Sequence, residues 1–111
     1  MGATVKNIIP AKYAENAQTT QYTATLCKTI IDKFTVTNNT GGGVTFAANL
    51  VVSGGSAGAS NLVLPTTTIP AGGVYYCPEL VGKSLEPSGF ISTLAGAASS
   101  LVINATGREI T

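Results

Sequence analysis

Two alternating, β-branched runs around an Asn/Gly-rich turn constrain this chain most. They are Thr29 to Asn38 and Val44 to Val52, with Asn39-Thr40-Gly41-Gly42-Gly43 between them. Side chains on a strand alternate between two faces, so runs of this kind describe half-buried strands. On the second run Val44, Phe46, Ala48, Leu50 and Val52 share an oily face, while Thr45, Ala47, Asn49 and Ser53 make a bland one. Glycine enters positive φ without steric cost, so the spacing reads as a β-hairpin closed by Gly41 to Gly43. In the first run Ile30, Phe34 and Val36 share a parity with Asp32, a carboxylate that must lie at an exposed strand end or be paired.

The rest of the chain has the same grammar. Short runs at Tyr22 to Leu26, Asn61 to Ile69, Val74 to Cys77, Lys83 to Leu85, Phe90 to Leu94 and Ser100 to Arg108 are separated by Gly, Pro and Ser clusters. Seven or eight short strands, with turn signals roughly every 8 to 14 residues and no helix of useful length, indicate an all-β fold: a single small β-sandwich. Jelly-roll and immunoglobulin-like topologies both fit. Pro65 demotes its strand to an edge or breaks it, because proline donates no ladder hydrogen bond. The stretch from Ser53 to Ser60 reads as a flexible loop. Residues 1–20 lack the period-2 pattern and are interrupted by Pro10, so they read as an extended N-terminal arm ahead of a sandwich over residues 21–111. Such an arm orders on docking, and its Lys6, Lys12 and Tyr13 are candidate contacts.

Composition narrows the function. Charged residues are 10% of the 111, against about 25% in ordinary domains. The six basic residues are scattered and the net charge is +1. Binding a polyanion requires clustered cations that release counterions, so no nucleic-acid partner is expected. So little charge gives little repulsion to keep a free monomer soluble, which points to a surface covered by other proteins. No apolar run approaches the roughly 20 residues of a membrane span, and the first ten residues hold no apolar stretch of signal-peptide length. The expectation is a cytoplasmically made protein with no membrane partner. Two Asn-x-Thr patterns, at Asn38 and Asn104, are then chance matches.

The chain contains no histidine, the commonest general base and metal ligand. Glu15, Asp32, Glu79, Glu86 and Glu109 are dispersed, and Gly41 to Gly43 lacks the Lys and Ser/Thr offsets of a phosphate loop. No catalytic residue, cofactor or metal site is expected. Cys27 and Cys77 read as two buried thiols, with a disulfide between strands as the alternative. Of the consecutive Tyr75 and Tyr76, one faces the core and one solvent. Exposed aromatics serve more often as interface anchors than as sugar platforms. Together with the sparsely charged Phe90 and Ile91, they make the candidate self-association surface.

Four phrases carry a resemblance: Ile30-Ile31-Asp32-Lys33-Phe34-Thr35-Val36-Thr37-Asn38, Val51-Val52-Ser53-Gly54-Gly55-Ser56-Ala57, Cys77-Pro78-Glu79-Leu80-Val81-Gly82 and Leu85-Glu86-Pro87-Ser88-Gly89-Phe90-Ile91. Over residues 20–111 the chain resembles the small decoration, cement or staple-like proteins of short-tailed bacteriophages of the epsilon-fifteen-like group. The resemblance implies a jelly-roll-like sandwich on the outside of the virion shell. There it would be a homo-oligomer, dimer first and trimer second, clamping neighbouring major capsid proteins, with no catalytic residues to carry over. A tail, neck or fibre component of a phage is the alternative placement. A carbohydrate-binding module is the alternative from another class.

Overall fold

The computed structural model describes residues 2–111, and its strands fall into two antiparallel sheets. In chain order they are β1 (Ala3–Tyr13), β2 (Thr19–Thr23), β3 (Lys28–Asn38), β4 (Val44–Val51), β5 (Leu62–Ile69), β6 (Val74–Tyr75), β7 (Ser84–Leu85), β8 (Phe90–Ala95) and β9 (Leu101–Ile110). One sheet has the order β1-β9-β3-β6, with β7 beside β6 on the same edge of β3; the other has the order β2-β8-β4-β5. The pairs β1·β9, β2·β8, β3·β6/β7 and β4·β5 are those of one long antiparallel ribbon. Rolling that ribbon up adds the contacts β9·β3 and β8·β4. This is a jelly roll whose sixth strand is split in two. An immunoglobulin-like sandwich would instead keep its early sequential strands as hairpins within one sheet.

The expected hairpin between β3 and β4 is therefore not formed: the two strands lie in different sheets. Asn38 supplies the physical reason. It is fully buried, and its Nδ2 donates to the carbonyls of Gly42 (2.8 Å) and Ile69 (2.9 Å). Its Oδ1 accepts from the Thr40 N–H (2.9 Å) and hydroxyl (2.7 Å). A side chain bonded in this way turns the backbone through a corner instead of folding it back on the same ladder. Phe34 of β3 and Phe46 of β4 then meet across the sandwich, centroids 6.2 Å apart and planes tilted by 45°, within the range of favourable aromatic pairs. Around them the core holds Ile9, Ile31, Val36, Leu64, Ile69, Leu80, Ile91, Leu101 and Ile103.

The extended arm is also corrected. Residues 3–13 form β1, paired with β9 from Ala3↔Ile110 to Tyr13↔Val102, and Thr19 and Thr20 already belong to β2. The alternation is hidden because β1 is an edge strand whose register shifts between Asn7 and Ile9, so that the consecutive Ile8 and Ile9 are both buried. Pro10 is exposed on this edge strand, and Pro65 is exposed on β5, the edge of the other sheet, the places where a missing N–H does least harm. In β3 a bulge between Ile31 and Lys33 changes parity, so Ile31 rather than Ile30 is buried and Asp32 stays at the surface. Opposite this bulge Gly107 allows close approach, since a Cβ there would stand 2.5 Å from the Ile30 carbonyl oxygen. Val52, expected inside, is 74% exposed just beyond β4.

Two outcomes follow for stability. Removing residues 2–13 strips the partner strand from β9, and the shortened chain should lose its cooperative thermal transition by circular dichroism. Asn38→Ala takes the amide donor from the buried Ile69 carbonyl, a group costing about 1–3 kcal/mol when left unpaired, and also removes the acceptor of Thr40; urea unfolding should show a loss of roughly 2–4 kcal/mol.

Candidate functional site

The candidate interface residues do not form one patch. Lys6 lies on β1 and its Nζ pairs with the Glu109 carboxylate at 3.5 Å. Lys12, on the same strand, pairs with Glu15 at 3.0 Å. Tyr13 ends β1; it is 45% exposed, and its hydroxyl accepts from Asn39 Nδ2 at 2.9 Å. It borders a shallow depression of about 200 Å³ with Glu15, Asn16 and Ser99. Tyr75 packs against the core and donates to the Glu79 carboxylate at 2.6 Å, whereas Tyr76 is 67% exposed. Phe90 opens β8 in the other sheet and is half-buried. Ile91 is fully buried in the core and is withdrawn as an interface residue, because its side chain points between the sheets.

Electrostatics is almost entirely internal. Arg108 grips Asp32 through Nε (3.1 and 3.2 Å) and the terminal nitrogen (3.0 Å), and this pairing raises the Arg108 pKa. Lys28 meets Glu86 at 3.4 Å. Hydrogen bonds from Gln21 and then Lys12 hold the Glu15 carboxyl below its ordinary pKa. The Tyr22 hydroxyl bridges the sheets, donating to Glu109 and accepting from Thr29 (2.7 Å); burial and the carboxylate push its pKa up. Tyr75 is pushed up to about 12 by the Glu79 bond and by burial. Every acid is thus engaged, and among the described residues Lys33 and Lys83 are the cations without an ion-pair partner.

The neutral surface is also more ordered than its sequence suggests. On the outer side of β4, Asn49 is buried, donating to the Gly58 carbonyl (3.0 Å) and Asn61 Oδ1 (2.7 Å), while Asn61 donates to the Ser56 carbonyl (2.9 Å). Gln18 adds a bond to Ser92 at 2.8 Å. The stretch expected to be a flexible loop is therefore tied down over the sheet. The Asn49 and Asn61 amides, single polar residues flanking a Gly/Ser run, were the only sequence signal for this.

Exposed apolar side chains stand at separate places on the sandwich. Leu26 (88%) and Val52 (74%) lie at one end, with Leu26 held at φ 56°. Tyr13 lies at the other end, and Tyr76 and Val81 on the β3 edge. Beside the latter pair a cavity of about 140 Å³ is lined also by Asp32, Lys33, Phe34 and Thr35. These hollows are smaller than the several hundred Å³ usual for a small-molecule site. Among the described residues no three His, Cys, Asp or Glu side chains gather as metal ligands, and no helix is long and apolar enough to cross a membrane. Both cysteines are free and buried, and burial pushes the Cys77 thiol up to about 12.

The class defined by this geometry is a small antiparallel jelly-roll sandwich with internally paired charges and dispersed apolar contacts. Compared with family models, curated proteins and solved structures, the chain gives no match.

A raised tyrosine pKa means that the fold favours the neutral phenol. The stabilisation is therefore complete below the unfolded value near 10 and is lost as pH rises through about 12. Wild-type unfolding temperature should fall across that window, and Tyr75→Phe should flatten the fall. In the folded protein Cys77 should resist alkylation at pH 8 and react promptly in denaturant, as read by mass spectrometry.

Proposed function

We propose that this chain is a non-enzymatic structural protein of a bacteriophage virion, one that decorates the capsid exterior and stabilises it by clamping neighbouring major capsid proteins. The observation that carries the reading is the presence of exposed apolar residues at both ends of a single body, with others such as Val5, Leu62 and Tyr76 on its edges. A clamp must touch two neighbours at once. Tyr13 lies by Val102 and Leu26 precedes Lys28, which lies by Ile110, so the two ends of β9 separate the contacts by roughly 25 Å at strand rise. The body itself is 46 Å long.

The four phrases that resemble phage decoration proteins point the same way, as does a surface with almost no free charge. Weak contacts repeated over a shell add through multivalency. A homo-oligomer, with a dimer favoured, is part of the same proposal. Its contact is better placed on β1 than around Tyr75 to Ile91, because residues 3–7 are the longest regular stretch of free strand edge, ahead of the bulge and Pro10.

Virions assembled with and without the protein test this reading. Sedimentation should place the chain with heads rather than with tails or neck, in many copies. Heads lacking it should release DNA at a lower temperature. Equal resistance to heat and chelator would overturn the proposal, and recovery with tails alone would move the protein to the tail, neck or fibre.

A further inference from the structure

The split of the sixth strand has its own physical cause. After Tyr75 the chain leaves the ladder at Cys77, whose φ of 46° lies in the left-handed region, and Pro78 has no N–H to continue it. A tight turn follows, with the Leu80 N–H on the Cys77 carbonyl at 2.9 Å. The segment rejoins β3 where the Gly82 N–H donates to the Ile31 carbonyl (2.7 Å) and the Ile31 N–H to the Lys83 carbonyl (2.8 Å). Between that point and Val36, which registers with Tyr75, no strand of the described residues lies beside β3 on this edge. The result is a notch lined by Asp32, Lys33, Thr35, Tyr76 and Val81 over the Phe34 main chain.

Three properties coincide there. Tyr76 and Val81 are 67% and 42% exposed, an apolar pair flanking one hollow. The hollow, about 140 Å³, suits one side chain, not a cofactor. Its charge is one-sided: Arg108 neutralises Asp32, Tyr75 holds Glu79, and Lys33 at the rim has no carboxylate. Lys83, also exposed and without an ion-pair partner, follows within the same loop. An apolar hollow with a free cation at its rim is complementary to an apolar side chain next to a carboxylate.

Resting on the function proposed above, we propose that this notch receives an acidic extended segment of a neighbouring shell protein. One bulky apolar side chain sits between Tyr76 and Val81, and an adjacent carboxylate meets Lys33.

The test uses heads assembled without the protein and re-decorated with the purified full chain over a concentration series. Val81→Asp and Lys33→Glu should each weaken binding tenfold or more, with Lys33→Met intermediate. Thr66→Glu, exposed on β5 at the edge of the other sheet, should leave binding unchanged. The three substituted positions, Lys33, Thr66 and Val81, are exposed, and coincident thermal unfolding verifies that each variant folds. A photo-crosslinking residue at position 76 should join to a shell-protein peptide that carries Asp or Glu within a few residues of a large apolar residue. Wild-type affinity in both notch variants, or a crosslink to a second copy of this chain or to a peptide without acid, overturns the notch while leaving the decoration role standing. Failure of the wild-type chain to bind heads at all removes the decoration role, and the proposed occupant with it.

Discussion

The buried amide of Asn38 is the constraint on which the rest of the molecule depends. A polar side chain this deep is tolerated only when its donors and acceptor are all used, and here they are, by Gly42, Ile69 and Thr40. Those bonds turn the chain out of one sheet and into the other. Because β4 lands opposite β3, Phe46 faces Phe34, and β8 and β5 have a strand to flank. The same amide ties the end of β5 to the corner through the Ile69 carbonyl, so two crossings at one end of the sandwich share a single anchor.

With the layers set, the few charges are consumed locally. Asp32 with Arg108, Glu109 with Lys6 and Tyr22, and Glu79 with Tyr75 are contacts between neighbours in the rolled ribbon or its loops. Exposed pairs of this kind contribute little each to stability. Their larger effect is on the surface, which they leave with few uncompensated charges. Lys33 and Lys83 stand out against that background, both on the edge opened by the split strand.

Bulges explain most of the differences between pattern and structure. A period-2 reading assumes an uninterrupted ladder, and one extra residue exchanges the two faces of a strand. At Ile8 and Ile9 this hides an edge strand as an arm; at Ile31 to Lys33 it moves Ile30 out and Ile31 in. Ile91 departs from its expected surface position for another reason. Its low local charge marks equally a core strand and a sticky surface, and only the β4 and β2 neighbours on both sides of β8 distinguish them.

What the sequence alone determined was the local part: an all-β chain, a single sandwich, edge positions for Pro65, loops at the Gly and Pro clusters, and one tyrosine of the Tyr75-Tyr76 pair turned outward. Those follow from φ/ψ preferences and alternation, which act over a few residues. Tertiary structure decided which sheet each strand joins, where ladders slip, which thiols, amides and carboxylates meet, and that a notch opens beside Phe34. These depend on partners such as Arg108 for Asp32, or Ile69 for Asn38, that lie dozens of residues away, and the free energy that selects them comes from closing the whole ribbon around one core.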